Sequence, residues 1–256
     1  MFSALAGKVV SEMLLSLYPV FVKNIKVGLS TQMWSRFVAY VAIAFFFIDY
    51  DFIRRNLFSL WGTILSVVTL FHIYTSYQGF LMLESGTAFT LFYTYPILIL
   101  LIAQQISPWL VLLAALGVAF LSYGSPLLGL LMVGGAALTE AFIYFIIKRL
   151  PSKNSWNHLF LSYFAGAILL SLFYTPTQFS GMDMAALGIN AFIGMFGYVL
   201  RFYSVMRLPV FWYALLSNLG VIFSYVYGYV FNKEIVSVRQ IIGSFLLLGA
   251  CWLSKH

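Results

Sequence analysis

The chain has 256 residues, of which 62% are hydrophobic and 8% charged, against roughly 25% charged in a soluble globular domain. Water is therefore not its main solvent, and at ~20 apolar residues per crossing the length holds about ten spanning helices with no separate extramembrane domain. The net charge of +7 is carried by basic residues standing singly or in pairs between apolar runs, so it reads as a topology signal and not as a nucleic-acid surface.

Taking Gly, Pro and charge clusters as breaks, the sequence predicts spans at 4–22, 33–49, 58–80, 86–104, 107–123, 127–147, 157–175, 186–205, 210–231 and 236–253. The first is interrupted by Glu12 and lacks a small-residue cleavage site, so it is expected to stay as a helix and not to be removed as a signal peptide. An even number of spans puts both termini on one side, with Lys8, Arg54, Arg55, Lys148, Arg149, Lys153, Arg207 and Lys255. Lys23, Lys26, Arg36, Lys233 and Arg239 fall on the other. This bias places both termini in the cytoplasm; the cell (inner) membrane is the expected host, though no pattern in the sequence specifies which membrane.

Helix faces divide the spans into two kinds, because a polar or small-residue stripe is not meant for lipid. The first span carries Glu12, Ser16, Pro19 and Lys23. The third carries Gly62, Ser66, Thr69, His72, Ser76 and Gly79, the fourth Thr87, Thr90 and Thr94, and the sixth Ala136, Glu140 and Tyr144. The eighth aligns Asn190, Gly194, Gly197, Arg201 and Ser204, and the ninth Tyr213, Ser217, Gly220 and Ser224. These six spans are expected to surround a cavity, and the second, fifth and tenth to be peripheral. The bland alternative for the glycines is close helix approach. Trp34, Trp61, Trp109 and Trp252, at span ends, read as interfacial belts. Cys251 has no cysteine partner, so neither a disulfide nor a thiolate metal site is available.

The segments Tyr74–Gly124 and Tyr198–Ser254 are alike in pattern at an offset of about 125 residues. Two five-span halves, 1–124 and 125–256, would enter the membrane from opposite sides, which makes an inverted repeat of the kind that builds alternating-access carriers.

The closing pattern Trp212-Tyr213-Ala214-Leu215-Leu216, Val221 to Phe231, Asn232-Lys233-Glu234 and Ile241-Ile242-Gly243-Ser244 up to Leu248-Gly249 resembles that of the drug/metabolite transporter superfamily, in particular its EamA-type members. In the first half the counterpart is Ala88 to Gln105 with Pro96, then Gly117. The resemblance implies an all-α integral membrane fold, ten transmembrane helices as two inverted five-helix repeats, and a carrier. The chain departs from that pattern at Gln104 and Gln105, where the family usually places a Glu, and at Gly220, where the matching proline would fall.

Glu12 and Glu140 are the sharpest candidates, because an ionisable group inside a span is costly and marks function by default. Either can exchange protons or stay ionised and pair with a cationic part of a substrate; the structural alternative is a Glu satisfied by His72 or a hydroxyl. His72 relays protons, binds substrate, or simply bonds a helix hydroxyl. Arg36 and Arg201 can hold a carboxylate or phosphate, but both lie near span ends and are expected to snorkel to the interface. Arg201 keeps the greater interest because it shares a stripe with Asn190. Tyr93, Tyr95, Tyr198, Trp212 and Tyr213 can stack on a planar or cationic ligand. The expected substrate-binding set is Glu12, Glu140, His72, Ser76, Thr90, Tyr93, Thr94, Asn190, Arg201, Tyr213 and Ser217, with no catalytic residue, metal or cofactor.

The function these residues favour is a secondary carrier or exchanger for a small organic metabolite, an amino acid or nucleotide-related compound, proton-linked through Glu140 or Glu12. The partners are that metabolite and the lipid bilayer, with no nucleic acid; a homodimer is left open. A polytopic enzyme acting on lipid-linked substrates needs acid/base or metal groups clustered at one interface, whereas His72, His158 and His256 are far apart in the chain. A noncatalytic membrane subunit explains the fold but not two glutamates on cavity stripes.

Overall fold

The computed structural model describes residues 2–174 and 180–254; Lys255 and His256, used above, lie outside the described residues. Within them every regular element is a helix. The first rod is α1 (Phe2–Leu15) and α2 (Tyr18–Asn24), broken at Ser16 and Leu17 because Pro19 has no N–H to return to the preceding turn. It is followed by α3 (Leu29–Ala44), a short α4 (Tyr50–Asn56) and α5 (Leu60–Met82). Next come α6 (Ser85–Phe92) and α7 (Tyr95–Ile102), broken before Pro96, and α8 (Pro108–Ser122). The second half contains α9 (Leu127–Arg149), α10 (Ser155–Phe173), α11 (Gly181–Arg207), the collinear pair α12 (Val210–Ser217) and α13 (Leu219–Asn232), and α14 (Val238–Leu253).

The starts follow local chemistry. Ser59 accepts from the Gly62 amide and Asn154 from the Trp156 amide, and both Ser180 with Asp183 and Ser237 with Gln240 form reciprocal capping boxes, each satisfying amides that a helix leaves unpaired at its first turn. Seven rods are long and apolar enough to cross a membrane, and Pro108–Ser122 and Val238–Leu253 are shorter apolar helices. Their outer surface is a belt of exposed Phe46, Leu112, Leu131, Phe173, Phe245 and Trp252, while Glu12, Arg36, His72, Glu140 and Arg201 are buried inside. Polar groups face inward because hydrocarbon offers them no partner.

The second rod departs from its expected limits. α3 begins at Leu29, not 33, and ends at Ala44; the Gln32 amide, read as loop, is inside the helix and donates to the Val27 carbonyl at 3.1 Å. Arg36 therefore sits two turns down the helix instead of opening it. α3 is also not peripheral, since Arg36 and Tyr40 are both buried. α8 and α14 pack on each other at Gly117 and Gly243: a Cβ on either would lie 2.8 Å from the other's carbonyl oxygen.

Candidate functional site

Three broken rods meet at the centre. The Ser16 hydroxyl, at the first break, donates to the Glu12 carbonyl at 2.5 Å and reaches the Gly220 carbonyl of α13 at 3.1 Å. Around this point the six spans expected to face a cavity each contribute. Glu12 of α1 accepts from Lys8, one turn earlier on the same helix, and from the Tyr93 hydroxyl at the α6 end. It also accepts from Arg201 Nη2 of α11 at 3.2 and 3.1 Å. Arg201 Nη1 donates to Glu140 Oε1 of α9 at 2.7 Å, and Glu140 Oε2 lies 3.3 Å from His72 Nε2 of α5. Lys8 Nζ stands 3.7 Å over the Tyr213 ring of α12. None of these four charged side chains is more than 2% exposed. The result is an alternating chain, Lys8, Glu12, Arg201, Glu140, in which each buried charge has an opposite neighbour, as burial requires.

Arg201 is thus not a snorkelling residue. It is held by two carboxylates about 9 Å along α11 from Arg207, at 1.5 Å per residue. Lys8, counted above as a terminal-side surface charge, is wholly buried. Its spacing of four from Glu12 is the ion-pair spacing of a helix and is the signal that identifies it.

Arg36 likewise does not snorkel. Its guanidinium donates to the Tyr77 hydroxyl at 3.0 Å and the Tyr163 hydroxyl at 2.8 Å. Its Cζ lies 4.4 Å from the Tyr18 ring centre and 5.1 Å from those of Tyr40 and Tyr198. The Tyr18 and Tyr40 hydroxyls bond each other at 2.6 Å, over Gly194, where a Cβ would come within 1.3 Å of the Tyr18 oxygen. Gly220 plays the same part for Tyr93, whose hydroxyl would lie 1.9 Å from an added Cβ. These two stripe glycines admit tyrosine hydroxyls, which is a tighter demand than helix approach alone.

Of the expected site residues, Glu12, Glu140, His72, Arg201, Tyr93 and Tyr213 come together. His72 bonds the Thr139 hydroxyl at 3.0 Å and the Tyr198 hydroxyl at 3.2 Å, whereas Glu140 Oε2 beside it has no hydrogen-bond partner among the described residues. Ser76 lies beside it, donating to the His72 carbonyl at 2.5 Å. Thr90, Thr94 and Ser217 donate instead to carbonyls of their own rods, Gly86, Leu91 and Tyr213. Asn190 is buried with no partner for Oδ1 among the described residues, roughly 16 Å along α11 from Arg201. The cavity expected between the six spans is small: the central space, lined by Arg36, His72, Ser76, Tyr198, Arg201 and aromatic residues, is about 20 Å³, room for about one water.

A second cluster closes one end of the rods. Glu234, between α13 and α14, accepts from Lys23 at 3.0 Å and from the Ser85 and Gly86 amides at 3.0 and 3.3 Å, a carboxylate on the N-terminus of α6 where the helix dipole favours it. Partial burial pushes this carboxyl up, but the Ser85 amide and Lys23 outweigh it and hold it below the ordinary glutamate range. Asn232 ties in the Asn24 amide at 2.8 Å and donates to the Ser85 hydroxyl at 3.0 Å.

Apolar rods with an outer lipid belt, enclosing a charge-paired centre at helix breaks, define a multi-pass membrane protein. The sequence model of the EamA-like transporter family matches residues 127–255. The chain belongs to that family and is a membrane transporter of small solutes. Curated proteins give no match. Among solved structures, one described as "Crystal structure of protein" is similar over 100% of this chain and 97% of its own, with 16% identity and a TM-score of 0.67; it shares the fold.

Proposed function

We propose that the protein moves a small organic metabolite, an amino acid or nucleotide-related compound, across the cell inner membrane by alternating access, as a carrier or exchanger with proton linkage through Glu140 or Glu12. The observation that carries this reading is the buried ion chain, because it joins the two halves beside the break in the first rod. Lys8 and Glu12 come from residues 1–124, and Glu140 and Arg201 from 125–256. Protonating Glu140 removes one of the two charges that hold Arg201, and a substrate charge can replace either partner, so occupancy and rod geometry are coupled.

Ten crossings in two inverted five-helix repeats, with both termini cytoplasmic, are part of the same proposal. Support comes from packing that is matched when the halves are exchanged. α1 packs on α11 and α5 on α9, α6 on α13 and α7 on α12, and α3 on α10. The reciprocal contact of Gly117 and Gly243 is the kind a two-fold relation produces. The fourth and ninth rods also end alike, in left-handed residues Gln104 (φ 55°) and Lys233 (φ 54°).

Uptake of labelled metabolites into liposomes holding the purified protein, with and without a pH gradient, tests the reading. Saturable flux accelerated by the gradient, and loss of that acceleration in Glu140→Gln, is the expected outcome. An unchanged pH profile in Glu140→Gln removes Glu140 from the mechanism, and absence of flux for every compound by folded protein overturns the carrier.

A further inference from the structure

The buried centre holds three permanent or paired cations, Lys8, Arg36 and Arg201, against two carboxylates, Glu12 and Glu140. Lys8 and Arg201 have carboxylate partners. Arg36 has none within ion-pair reach among the described residues; its neighbours are tyrosine rings and hydroxyls. A buried guanidinium faced only by neutral groups is a costly arrangement unless an anion completes it.

Resting on the carrier reading above, we propose that Arg36 is the binding site for the carboxylate of a monoanionic substrate with an apolar body. Five features fit that ligand. Arg36 Nε and Arg201 Nε are both buried without a hydrogen-bond partner, and both residues line the same central space, so donors converge there from α3 and α11. Tyr77 and Tyr163 accept from the guanidinium through their oxygens and keep their own hydroxyl protons free to donate to an anion. The same space is also lined by Ile73, Phe80, Phe89 and Phe92, which suits hydrocarbon. One negative charge neutralises the centre, whereas a dianion such as a phosphate monoester reverses its sign. A planar carboxylate also matches the guanidinium fork. The 20 Å³ space must widen to admit it, and rocking of the two halves supplies that widening.

The test uses full-length protein in detergent, with benzoate, phenylacetate and hexanoate as probes, their uncharged amides and benzylammonium as controls, and sodium chloride at matched concentration. The expected result is saturable thermal stabilisation by at least one carboxylate and by none of the controls. Arg36→Lys, which keeps the charge but loses the fork, should weaken that binding about tenfold, as should Tyr163→Phe, which keeps Arg36 and most of its packing. Equal stabilisation by amide or chloride, no stabilisation by any carboxylate, or undiminished binding in both variants overturns the site. Counterflow in liposomes separates this from the carrier reading. Flux of a neutral or cationic solute that ignores Arg36→Lys leaves the carrier and overturns the anion site, while carboxylate binding lost in both variants without any flux retains the site and overturns the carrier.

Discussion

Replacing Glu140 by Gln and by Ala separates the shape of the ion chain from its charge. Glu140 Oε1 accepts from Arg201 Nη1 at 2.7 Å, with both side chains at most 2% exposed, so the discount for solvent-screened surface pairs does not apply. Gln keeps an acceptor oxygen at the same reach. What it loses is the difference between a hydrogen bond to a charged group and a neutral one, about 1–2 kcal/mol. Ala leaves Nη1 unpaired and Arg201 with Glu12 alone, which Lys8 already shares; removing one partner of a buried pair costs about 3–5 kcal/mol. At roughly 2–4 °C per kcal/mol for a chain of this size, Glu140→Gln should lower the unfolding temperature by about 2–8 °C and Glu140→Ala by about 6–20 °C. Thermal unfolding of purified protein, followed by tryptophan fluorescence at one scan rate, reads both. If Ala is no worse than Gln, Arg201 does not depend on the acceptor, and the account of the ion chain is wrong.

Gly194→Ala places a Cβ 1.3 Å from the Tyr18 oxygen and 2.2 Å from that of Tyr40, so the cage must reopen, at about 1–3 kcal/mol or more; Gly188→Ala, on the same helix with nothing within 4 Å, should be neutral or stabilising by up to about 1 kcal/mol. Equal melting of the two variants would count against the cage. At the Glu234 cluster the folded carboxyl is held low, so its contribution is present above the ordinary glutamate range and fades as pH falls through the folded value. Wild type should lose thermal stability on acidification more steeply than Glu234→Gln, and parallel curves would dismiss the contribution. For orientation, Phe58→Cys and Ile235→Cys, both strongly exposed beside a buried Cys251, should label from opposite faces with an impermeant maleimide in intact cells, Ile235→Cys from outside and Phe58→Cys only after permeabilisation. Labelling of both from one face contradicts ten crossings.

The helical layout was legible because spanning segments announce themselves locally: Pro19, Pro96 and Pro108, Gly28, and capping serines such as Ser59 and Ser237 sit where the rods start or break. The polar stripes were legible for the same reason, since periodicity places Glu12, His72, Glu140 and Arg201 on inward faces. Depth was not. Ser30, Thr31 and Gln32 look like a loop, so Arg36 looked like a residue at the rim; the bond from the Gln32 backbone amide to the Gly28 carbonyl at 3.1 Å shows that the helix has already begun. The tyrosine cage is less legible still. Tyr18, Tyr40, Tyr77, Tyr163 and Tyr198 come from five helices, and no spacing along the chain relates them. Lys8 was visible at i−4 from Glu12, but a lone lysine near a terminus is equally a topology charge, and burial alone distinguishes the two.

The two ends of the rods are unequal in a way that bears on how such a carrier is gated. At one end Glu234 follows the left-handed cap of the ninth rod and fastens the start of α6 and Lys23. At the other, the corresponding residue after the left-handed cap of the fourth rod is Gln105, which is exposed and borders a hollow of about 630 Å³ with Pro209, Phe211 and Trp212. A neutral amide cannot neutralise a lysine as a carboxylate does, and it bonds a helix N-terminus less strongly. The side bearing Glu234 is therefore tied by a carboxylate, and the terminal side by hydrogen bonds such as Arg207 to the Lys153 carbonyl at 3.1 Å and Asn154 to the Phe47 carbonyl at 2.6 Å. The departure at Gln105 from the family pattern thus gives the two ends of the rods different chemistry, an exposed amide at one and a carboxylate bound to Lys23 and the start of α6 at the other.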